Sequence, residues 1–194
     1  MIPLPEPPGA EMSLHDAIAE RRSRRAYGEG GITLDQASEL LWSAAGITAG
    51  DRYRAAPSAG ATYPIDTYLL AGNVEGLDPG IYRYIETEHA LELVKQGDFI
   101  ADLANAALGQ SALKEASAVI CLFGVFERTA KRYGDRAARY VDIEIGHIGQ
   151  NIYLTAEALD LSTVAIGAFH DDRISALFSV EGYPLYLMPV GPRE

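Results

Sequence analysis

Apolar residues follow the helical period of 3.6 in some segments of the chain and the strand period of two in others. The longest helical pattern runs from about Arg136 to Leu159 and keeps one face apolar over roughly 35 Å. Apolar runs or alternation predict strands at Thr67–Ala71 and Ala118–Phe126, and a hairpin formed by Gly80–Ile85 and Ala90–Val94.

Several predicted helices have recognisable ends. Ser13 followed by Asp16 predicts the start of a helix, and Thr33 with Gln36 forms a capping box before a second helix that Gly46 ends. Because the hairpin interrupts the alternation of helices and strands, the pattern favours the α+β class. Shorter patterns predict helices at Asp98–Leu108 and Asp171–Phe178, and strands at Ser162–Gly167 and Pro184–Val190.

Length and composition indicate one globular domain. The chain has 194 residues, of which 48% are hydrophobic, enough to bury a single core. The proline-rich residues 1–12 are expected to form an extended arm, and residues 13–194 a single domain. No apolar run approaches the roughly 20 residues of a membrane span, and the N-terminus lacks a signal-peptide pattern. We therefore expect a cytoplasmic protein with no membrane partner.

Charge directs attention to one segment. The formal net charge is -11, yet four of the sixteen basic residues lie within Arg21–Arg25, around Ser23. Arginine forks and a neighbouring hydroxyl suit a phosphate group. The alternative is a solvated helix end whose cations face the helix dipole, and the cluster alone favours that alternative. A pI near 4.8 argues against nucleic acid as a partner.

The remaining reactive residue types give no metal site or nucleophile. Cys121 lies in a predicted buried strand, as a small hydrophobic residue would. Glu144 and His147 lie three apart on the long helix, but two ligands make no metal site, so both are interpreted as structural or solvated. Asp171 and Asp172 are interpreted as the start of a helix.

Glycine and other small residues mark two places of close approach. The loop from Ala55 to Pro64 contains small residues almost throughout, which allows a flat ligand or a second chain to come near the backbone. Gly146 and Gly149 on the long helix indicate close packing, either within the chain or at a dimer seam. No dinucleotide fingerprint or P-loop is present, which argues against a Rossmann domain and a nucleoside triphosphatase.

Six segments together are similar to the nitroreductase superfamily of FMN-dependent flavoenzymes, and most similar to its SagB-type subset, which includes thiazoline and oxazoline dehydrogenases. The resemblance spans nearly the whole chain. It implies an α+β, three-layer fold with a central, mostly antiparallel sheet flanked by helices, and a long central helix. The segments are RRSRRAY at Arg21–Tyr27, LLWSAAGIT at Leu40–Thr48, APSAGATYP at Ala56–Pro64, GHIGQNIYLTAEAL at Gly146–Leu159, VAIGAF at Val164–Phe169 and PVG at Pro189–Gly191.

The resemblance implies roles for the arginine cluster. Arg21 and Ser23 would hold the FMN phosphate, with Arg22 at the flank. Arg25 would lie near the pyrimidine edge of the flavin, where a cation stabilises the negative charge of the reduced ring. Arg22 and Arg24 are the members of the cluster that could still be solvated.

The resemblance also implies a homodimer with FMN sites at the interface. The partner's small-residue loop would complete each pocket, and one flavin face would pack on the segment after the long helix, with the Gly167 N–H directed at flavin N5. Arg193 is the cation near the C-terminus that could add a phosphate contact. The loop residues are Pro57, Ser58, Ala59 and Gly60, and the flavin-face residues are Ala165, Ile166, Gly167 and Ala168.

Two positions depart from the family pattern. A polar amide common in the small-residue loop is Ala61 here, although the SagB-type subset often has a small residue at that place. Azoline dehydrogenases carry a Lys and Tyr pair before the long helix, where this chain has Arg132 and Tyr133, with Lys131 one residue earlier. Arginine cannot act as a base at ordinary pH, which weakens azoline oxidation, although Lys131 leaves it open. Tyr63, Arg132 and Tyr133 could shape an acceptor pocket or simply pack.

The resulting expectation is an FMN-dependent oxidoreductase. It would pass a hydride from NAD(P)H through FMN to a small electron-poor acceptor of the nitroaromatic or quinone class, by a ping-pong mechanism. No side chain is assigned as a catalytic acid or base. The alternatives are a SagB-type azoline dehydrogenase acting on peptide heterocycles and a non-catalytic flavin-binding protein.

Overall fold

A seven-stranded antiparallel sheet forms the centre of the protein. The structure, a computed structural model, describes residues 1–50 and 52–194. The strands are β1 (Ile2–Pro3), β2 (Ile47–Ala49), β3 (Tyr53–Arg54), β4 (Ile65–Ala71), β5 (Gly80–Ile85), β6 (Ala90–Gln96), β7 (Ala118–Gly124), β8 (Leu161–Thr163) and β9 (Tyr183–Pro192). The central sheet has the order β1-β6-β5-β4-β7-β9-β8 with antiparallel neighbours throughout, and β2 pairs with β3 in a separate two-stranded sheet.

Helices cover both faces of the sheet. They are α1 (Leu14–Glu20), α2 (Leu34–Ala45), α3 (Ile100–Ala106), α4 (Ser111–Lys114), α5 (Phe126–Tyr133), α6 (Ala137–Ala158) and α7 (Asp171–Phe178). Strand β7 shows why there are two cores. Its Ile120 and Leu122 pack with α2 and α6, whereas its Val119 and Cys121 pack with α3, α4 and α7. Alternate residues of a strand point to opposite faces, so the buried sheet joins two helical layers. The predicted three-layer α+β fold is confirmed.

The N-terminal arm is joined to the edge of the sheet. Strand β1 pairs with β6, and the Leu4 N–H donates to the His89 carbonyl oxygen at 3.0 Å. The Ser38 hydroxyl of α2 donates to the Pro5 carbonyl oxygen at 2.6 Å. These hydrogen bonds hold the first five residues of the chain against β6 and α2.

Local sequence signals locate most helix starts correctly. Ser13 caps α1, and Thr33 with Gln36 forms the expected capping box of α2. Two strands are shorter than predicted. β7 ends at Gly124, and its length was overestimated because the apolar run continues into α5. β8 ends at Thr163. Helices α4 and α5 were not predicted, and α7 is preceded by His170, with Asp171 and Asp172 in its first turn.

The two glycines of α6 have different surroundings. A Cβ at Gly149 would lie 3.3 Å from the Tyr186 ring, so this glycine allows α6 to approach strand β9. A Cβ at Gly146 would meet no described atom within 4 Å. Close packing within the chain therefore accounts for Gly149, and it involves a strand. None of the described helices is both long and apolar enough to cross a membrane.

Replacing Thr33 with alanine will destabilise the protein by about 1 kcal/mol, because the Gln36 N–H at the start of α2 loses its side-chain acceptor at 3.1 Å. Urea unfolding of the purified variant measures the change. Thr87→Ala, at an exposed position in the β5–β6 turn, is the matched control and will change stability by less than about 0.5 kcal/mol. Equal effects of the two substitutions would contradict the capping account.

Candidate functional site

The arginine cluster lies along the ends of β8 and β9. Helix α1 ends at Glu20, and the chain then runs extended, with the Arg24 N–H donating to the Thr163 carbonyl oxygen at 2.9 Å. The Gly28 N–H donates to the Pro192 carbonyl oxygen at 3.0 Å. These backbone hydrogen bonds hold the cluster at one edge of the sheet, beside the C-terminal end of α6.

Glu157 of α6 neutralises two arginines. Its carboxylate, 2% exposed, accepts two hydrogen bonds from Arg24 and a third from Arg193 at 2.8 Å. Arg193 also pairs with Asp160 at 3.0 Å. A buried carboxylate needs such partners, since desolvation without them would be costly. Arg24, which the sequence left as a candidate solvated residue, is thus part of an ion-pair network around the buried Glu157 carboxylate.

Tyr153 of α6 connects the cluster with the segment after β8. The Arg21 guanidinium lies 5.1 Å from the centre of the Tyr153 ring, and the Ser23 hydroxyl is hydrogen-bonded to the Tyr153 hydroxyl at 2.9 Å. That same hydroxyl accepts the Ala165 N–H at 2.8 Å. The expected phosphate-binding segment and the expected flavin-face segment are therefore adjacent in one protomer.

The flavin-face segment keeps a free backbone donor. Ile166 exchanges two backbone hydrogen bonds with Leu187 of β9, at 2.9 and 3.0 Å, which fixes the direction of the segment. The Gly167 N–H that follows has no hydrogen-bond acceptor among residues 1–50 and 52–194, and Gly167 is exposed. A ligand lying over this segment could accept that hydrogen bond.

A cavity of about 370 Å³, called here the basic cavity, opens beside the cluster. In the part of the chain that the structure describes, Arg25 has no carboxylate partner, and two buried polar atoms, Ser162 Oγ and Arg193 Nε, have no hydrogen-bond partner. An uncompensated cation and orphaned polar groups suit an anionic ligand such as FMN. Arg21 and Ser23, which are expected to hold the FMN phosphate, are not among the residues that line this cavity. The lining residues are Arg24, Arg25, Ala26, Ser162, Arg193 and Glu194.

Arg22 behaves differently from its neighbours. Its guanidinium Nη1 donates to the carbonyl oxygens of Ala19 at 3.0 Å and Arg21 at 2.8 Å, at the C-terminal end of α1. The side chain is exposed and satisfies the last carbonyls of the helix. The alternative of a solvated helix end therefore describes Arg22.

The small-residue loop forms a second cavity, of about 310 Å³, against the first half of α6. We call this space the loop–helix cavity. The loop is pinned by a hydrogen bond from the Tyr63 N–H to Ser58 Oγ at 2.9 Å and by one from Arg132 to the Gly60 carbonyl oxygen at 3.1 Å. Gly60 has φ +60°, and a Cβ there would collide with Arg132 and Tyr133. The lining residues are Pro57, Ser58, Ala59, Tyr140, Ile143, Glu144 and His147.

The two groups of predicted site residues are separated along α6. Glu144, in the loop–helix cavity, and Tyr153, beside the arginine cluster, are nine positions apart. In an α-helix this is about 14 Å along the axis and about half a turn around it. Within one protomer, the small-residue loop and the arginine cluster therefore contact α6 at different positions along its axis and on different sides.

Glu144 lines the loop–helix cavity, and the pKa of its carboxyl is shifted strongly. It is 4% exposed, and burial raises the pKa of its carboxyl from 4.5 to about 7. The Ser58 hydroxyl and the positive charge of Arg54 lower this pKa and only partly offset burial. The group therefore changes protonation near neutral pH, which suits proton transfer.

Three of these residues were missed from the sequence. Tyr153 and Glu157 contact the arginine cluster from more than 120 positions away, so no local pattern indicates those contacts. Glu144 was interpreted as structural or solvated, because a glutamate without an ion-pair partner is rarely buried. No three His, Cys, Asp or Glu side chains in the described ranges lie close enough to hold a metal ion.

Comparison with known proteins identifies the class. The profile of the nitroreductase family matches residues 18–192. The chain belongs to the nitroreductase family and is a flavin-dependent oxidoreductase of that class. A protein of Methanocaldococcus jannaschii described as a nitroreductase, MJ1384, is 41% identical over 181 residues, covering 93% of this chain and 91% of that protein.

Two further proteins with similarity to the chain are named for a trifolitoxin operon and for microcin synthesis. The trifolitoxin operon protein TfxC of Rhizobium leguminosarum is 27% identical over 194 residues, covering 91% of this chain. The present chain spans 54% of that protein's length. The Escherichia coli microcin synthetase McbBCD, solved with truncated pro-MccB17 bound, shares the fold with a TM-score of 0.76 at 22% identity, covering 97% of this chain and 77% of that one.

Replacing Glu144 with glutamine will flatten the pH dependence of stability between about pH 4.5 and 7. The folded protein keeps a proton that the unfolded chain has released, because the folded pKa is raised. The bound proton stabilises the folded protein fully below the unfolded pKa, and this stabilisation is lost as the pH rises through the folded pKa. The free energy of unfolding falls by roughly 3 kcal/mol across this interval. Urea unfolding of wild type and variant near pH 4.5 and pH 8 measures it.

The control for this prediction is Glu88→Gln, which removes an exposed carboxylate from the β5–β6 turn. That variant will keep the wild-type pH dependence. A Glu144→Gln protein whose stability falls with pH as steeply as the wild type would show that Glu144 is ionised in the folded state across this range.

Proposed function

We propose that the protein is an FMN-dependent oxidoreductase that transfers a hydride from NAD(P)H to a small electron-poor acceptor, of the nitroaromatic or quinone class, by a ping-pong mechanism. The observation that carries the proposal is the Tyr153 hydroxyl, which contacts both the Ser23 hydroxyl and the Ala165 N–H. These contacts bring the arginine cluster next to the segment that carries the free Gly167 N–H. FMN needs both, because it has a phosphate at one end and a ring at the other.

Each group in this arrangement has a distinct task. Arg21 and Ser23 bind the phosphate by charge-assisted hydrogen bonds, which anchors one end of the cofactor. Arg25 supplies a cation that favours an anionic reduced ring, and the Gly167 N–H orients the ring. Bound FMN would supply the hydride chemistry. Arg193 stays a predicted phosphate ligand through its Nε, because carboxylates bind its other two nitrogens.

The proposal includes a homodimer located in the cytoplasm. The small-residue loop and the arginine cluster of one protomer lie on different sides of α6, so a partner's loop would complete the pocket that the first protomer's cluster begins. One protomer would then contribute Arg21, Ser23 and Arg25 to a site, and its partner Pro57–Gly60. The Cβ-free face at Gly146 offers a place for a second chain to approach.

The absorption spectrum of the purified protein tests the function. We expect an FMN spectrum, directly or after reconstitution, that is bleached by NADH or NADPH without oxygen and recovers when a quinone or nitroaromatic compound is added. Initial rates will give parallel double-reciprocal lines. A protein that does not take up FMN refutes the proposal, and bound FMN that neither nicotinamide bleaches favours a non-catalytic flavin-binding protein.

A SagB-type azoline dehydrogenase is the second candidate. Arg132 and Tyr133 both contact the small-residue loop at Gly60, at the position where the Lys and Tyr pair of that subset is expected. The similarity to a trifolitoxin operon protein also favours it. Oxygen uptake with an azoline-containing peptide, compared with NAD(P)H consumption with a quinone, separates the two candidates.

Replacing Arg25 with glutamine will weaken FMN binding about 10- to 100-fold, because a charged hydrogen bond to a ligand contributes about 1.5–3 kcal/mol. Arg22→Gln is the matched control, since its guanidinium already binds the end of α1, and it will change the affinity by less than about two-fold. Quenching of FMN fluorescence by the apoprotein measures both constants. Equal losses in the two variants would contradict the division of the cluster.

A further inference from the structure

The loop–helix cavity has one buried acid in an otherwise mostly apolar wall. Its volume of about 310 Å³ is at the lower end of the range that small-molecule sites occupy. Glu144 is buried and comes from the middle of a 22-residue helix, so its backbone position is rigid. His147 lies one turn further along α6 and is exposed. The cavity thus has a buried carboxyl inside and a titratable side chain next to water.

The opposite wall is preorganised. Ser58 Oγ accepts the Tyr63 N–H at 2.9 Å, and Arg132 donates to the Gly60 carbonyl oxygen at 3.1 Å, so the loop is tied at two points. A fixed wall opposite a rigid helix holds a bound molecule at a defined distance from the carboxyl, as proton transfer requires. Neither of these two hydrogen bonds involves the Glu144 carboxyl.

Few charges compete for Glu144. From β3, Arg54 faces it, but Arg54 also pairs with Glu86 at 2.9 Å. From the loop it faces the Ser58 hydroxyl, and from α6 itself the other polar lining groups are Tyr140 and His147. No ion pair to Glu144 is formed by the residues that the structure describes.

We propose that the carboxyl of Glu144 donates the proton that completes reduction of an acceptor bound in the loop–helix cavity, an inference that rests on the reductase function proposed above. A quinone that takes up a hydride gains two electrons and becomes a hydroquinone monoanion. The proton from Glu144 passes to the quinone oxygen and gives the neutral hydroquinone. NAD(P)H, the reductant, is oxidised to NAD(P)⁺, and the Glu144 carboxylate regains a proton from water next to His147.

The first test compares two acceptors in the holoenzyme. Duroquinone needs a proton as well as electrons, whereas ferricyanide takes electrons alone. In Glu144→Gln the rate of reoxidation by duroquinone will fall at least about ten-fold, as for loss of a general acid, and the rate with ferricyanide will stay within about two-fold. The wild-type duroquinone rate will decline as the pH rises through about 7, and the variant will lack this decline.

Asp142→Asn, an exposed carboxylate on the same helix, is the control and will behave as wild type with both acceptors. Equal losses with duroquinone and ferricyanide in Glu144→Gln, or no loss with either, would overturn the proposal. Reduction by NAD(P)H is measured separately. If NAD(P)H does not bleach the flavin, the proposed function fails independently of Glu144, and the reduced state is prepared with dithionite for the same comparison.

A second readout needs no turnover. Carbon NMR of protein labelled at glutamate carboxyls, with Glu144→Gln identifying the signal, follows the titration of Glu144 directly. If the protonated carboxyl donates a hydrogen bond to the quinone oxygen, saturating duroquinone will raise the Glu144 pKa above its value of about 7. An unchanged pKa in the presence of bound duroquinone would contradict the proposed contact.

Discussion

The packing of α6 against the sheet determines where every candidate site group lies. Its apolar face, with Ile148 and Ile152 fully or almost fully buried, fixes the helix against β7 and β9, and Gly149 allows the approach to Tyr186. Because the helix is fixed, the side chains on its other faces also have fixed positions along its length of about 33 Å. Glu144 in the first half of the helix and Glu157 near its C-terminal end are buried because the helix cannot turn without exposing its core face.

Charge compensation decides which arginines are left for a ligand. Glu157 binds Arg24 and Arg193, and these pairs tie the arginine cluster, the long helix and the C-terminal strand together. An arginine that pairs with a buried carboxylate is held in place, but its charge is then neutralised and does not attract a ligand. Arg21 and Arg25 keep theirs. A dense run of arginines thus divides into a structural half and a half suited to an anion.

Local patterns predicted much of the fold, and long-range contacts account for what was missed. Capping residues such as Ser13 and Thr33 act within one helical turn, so the sequence near them determines the helix start. Helix α5 was missed because Phe126 continues the apolar run of β7. The Tyr153 contacts depend on the packing of α6. Arg24 is ion-paired and Arg22 is not, because the carboxylate that binds Arg24 comes from a residue 133 positions away.

In the proposed homodimer, each FMN site combines the arginine cluster of one protomer with the small-residue loop of the other. Subunit mixing tests it directly. Arg25→Glu reverses one charge of the arginine cluster, and Ala59→Trp puts a bulky ring on the small-residue loop, so each variant alone is predicted to bind FMN poorly. After dissociation and reassembly of equal amounts, heterodimers contain one intact site, and roughly a quarter of all sites recover FMN. If both halves of the site came from the same protomer, mixing would recover none.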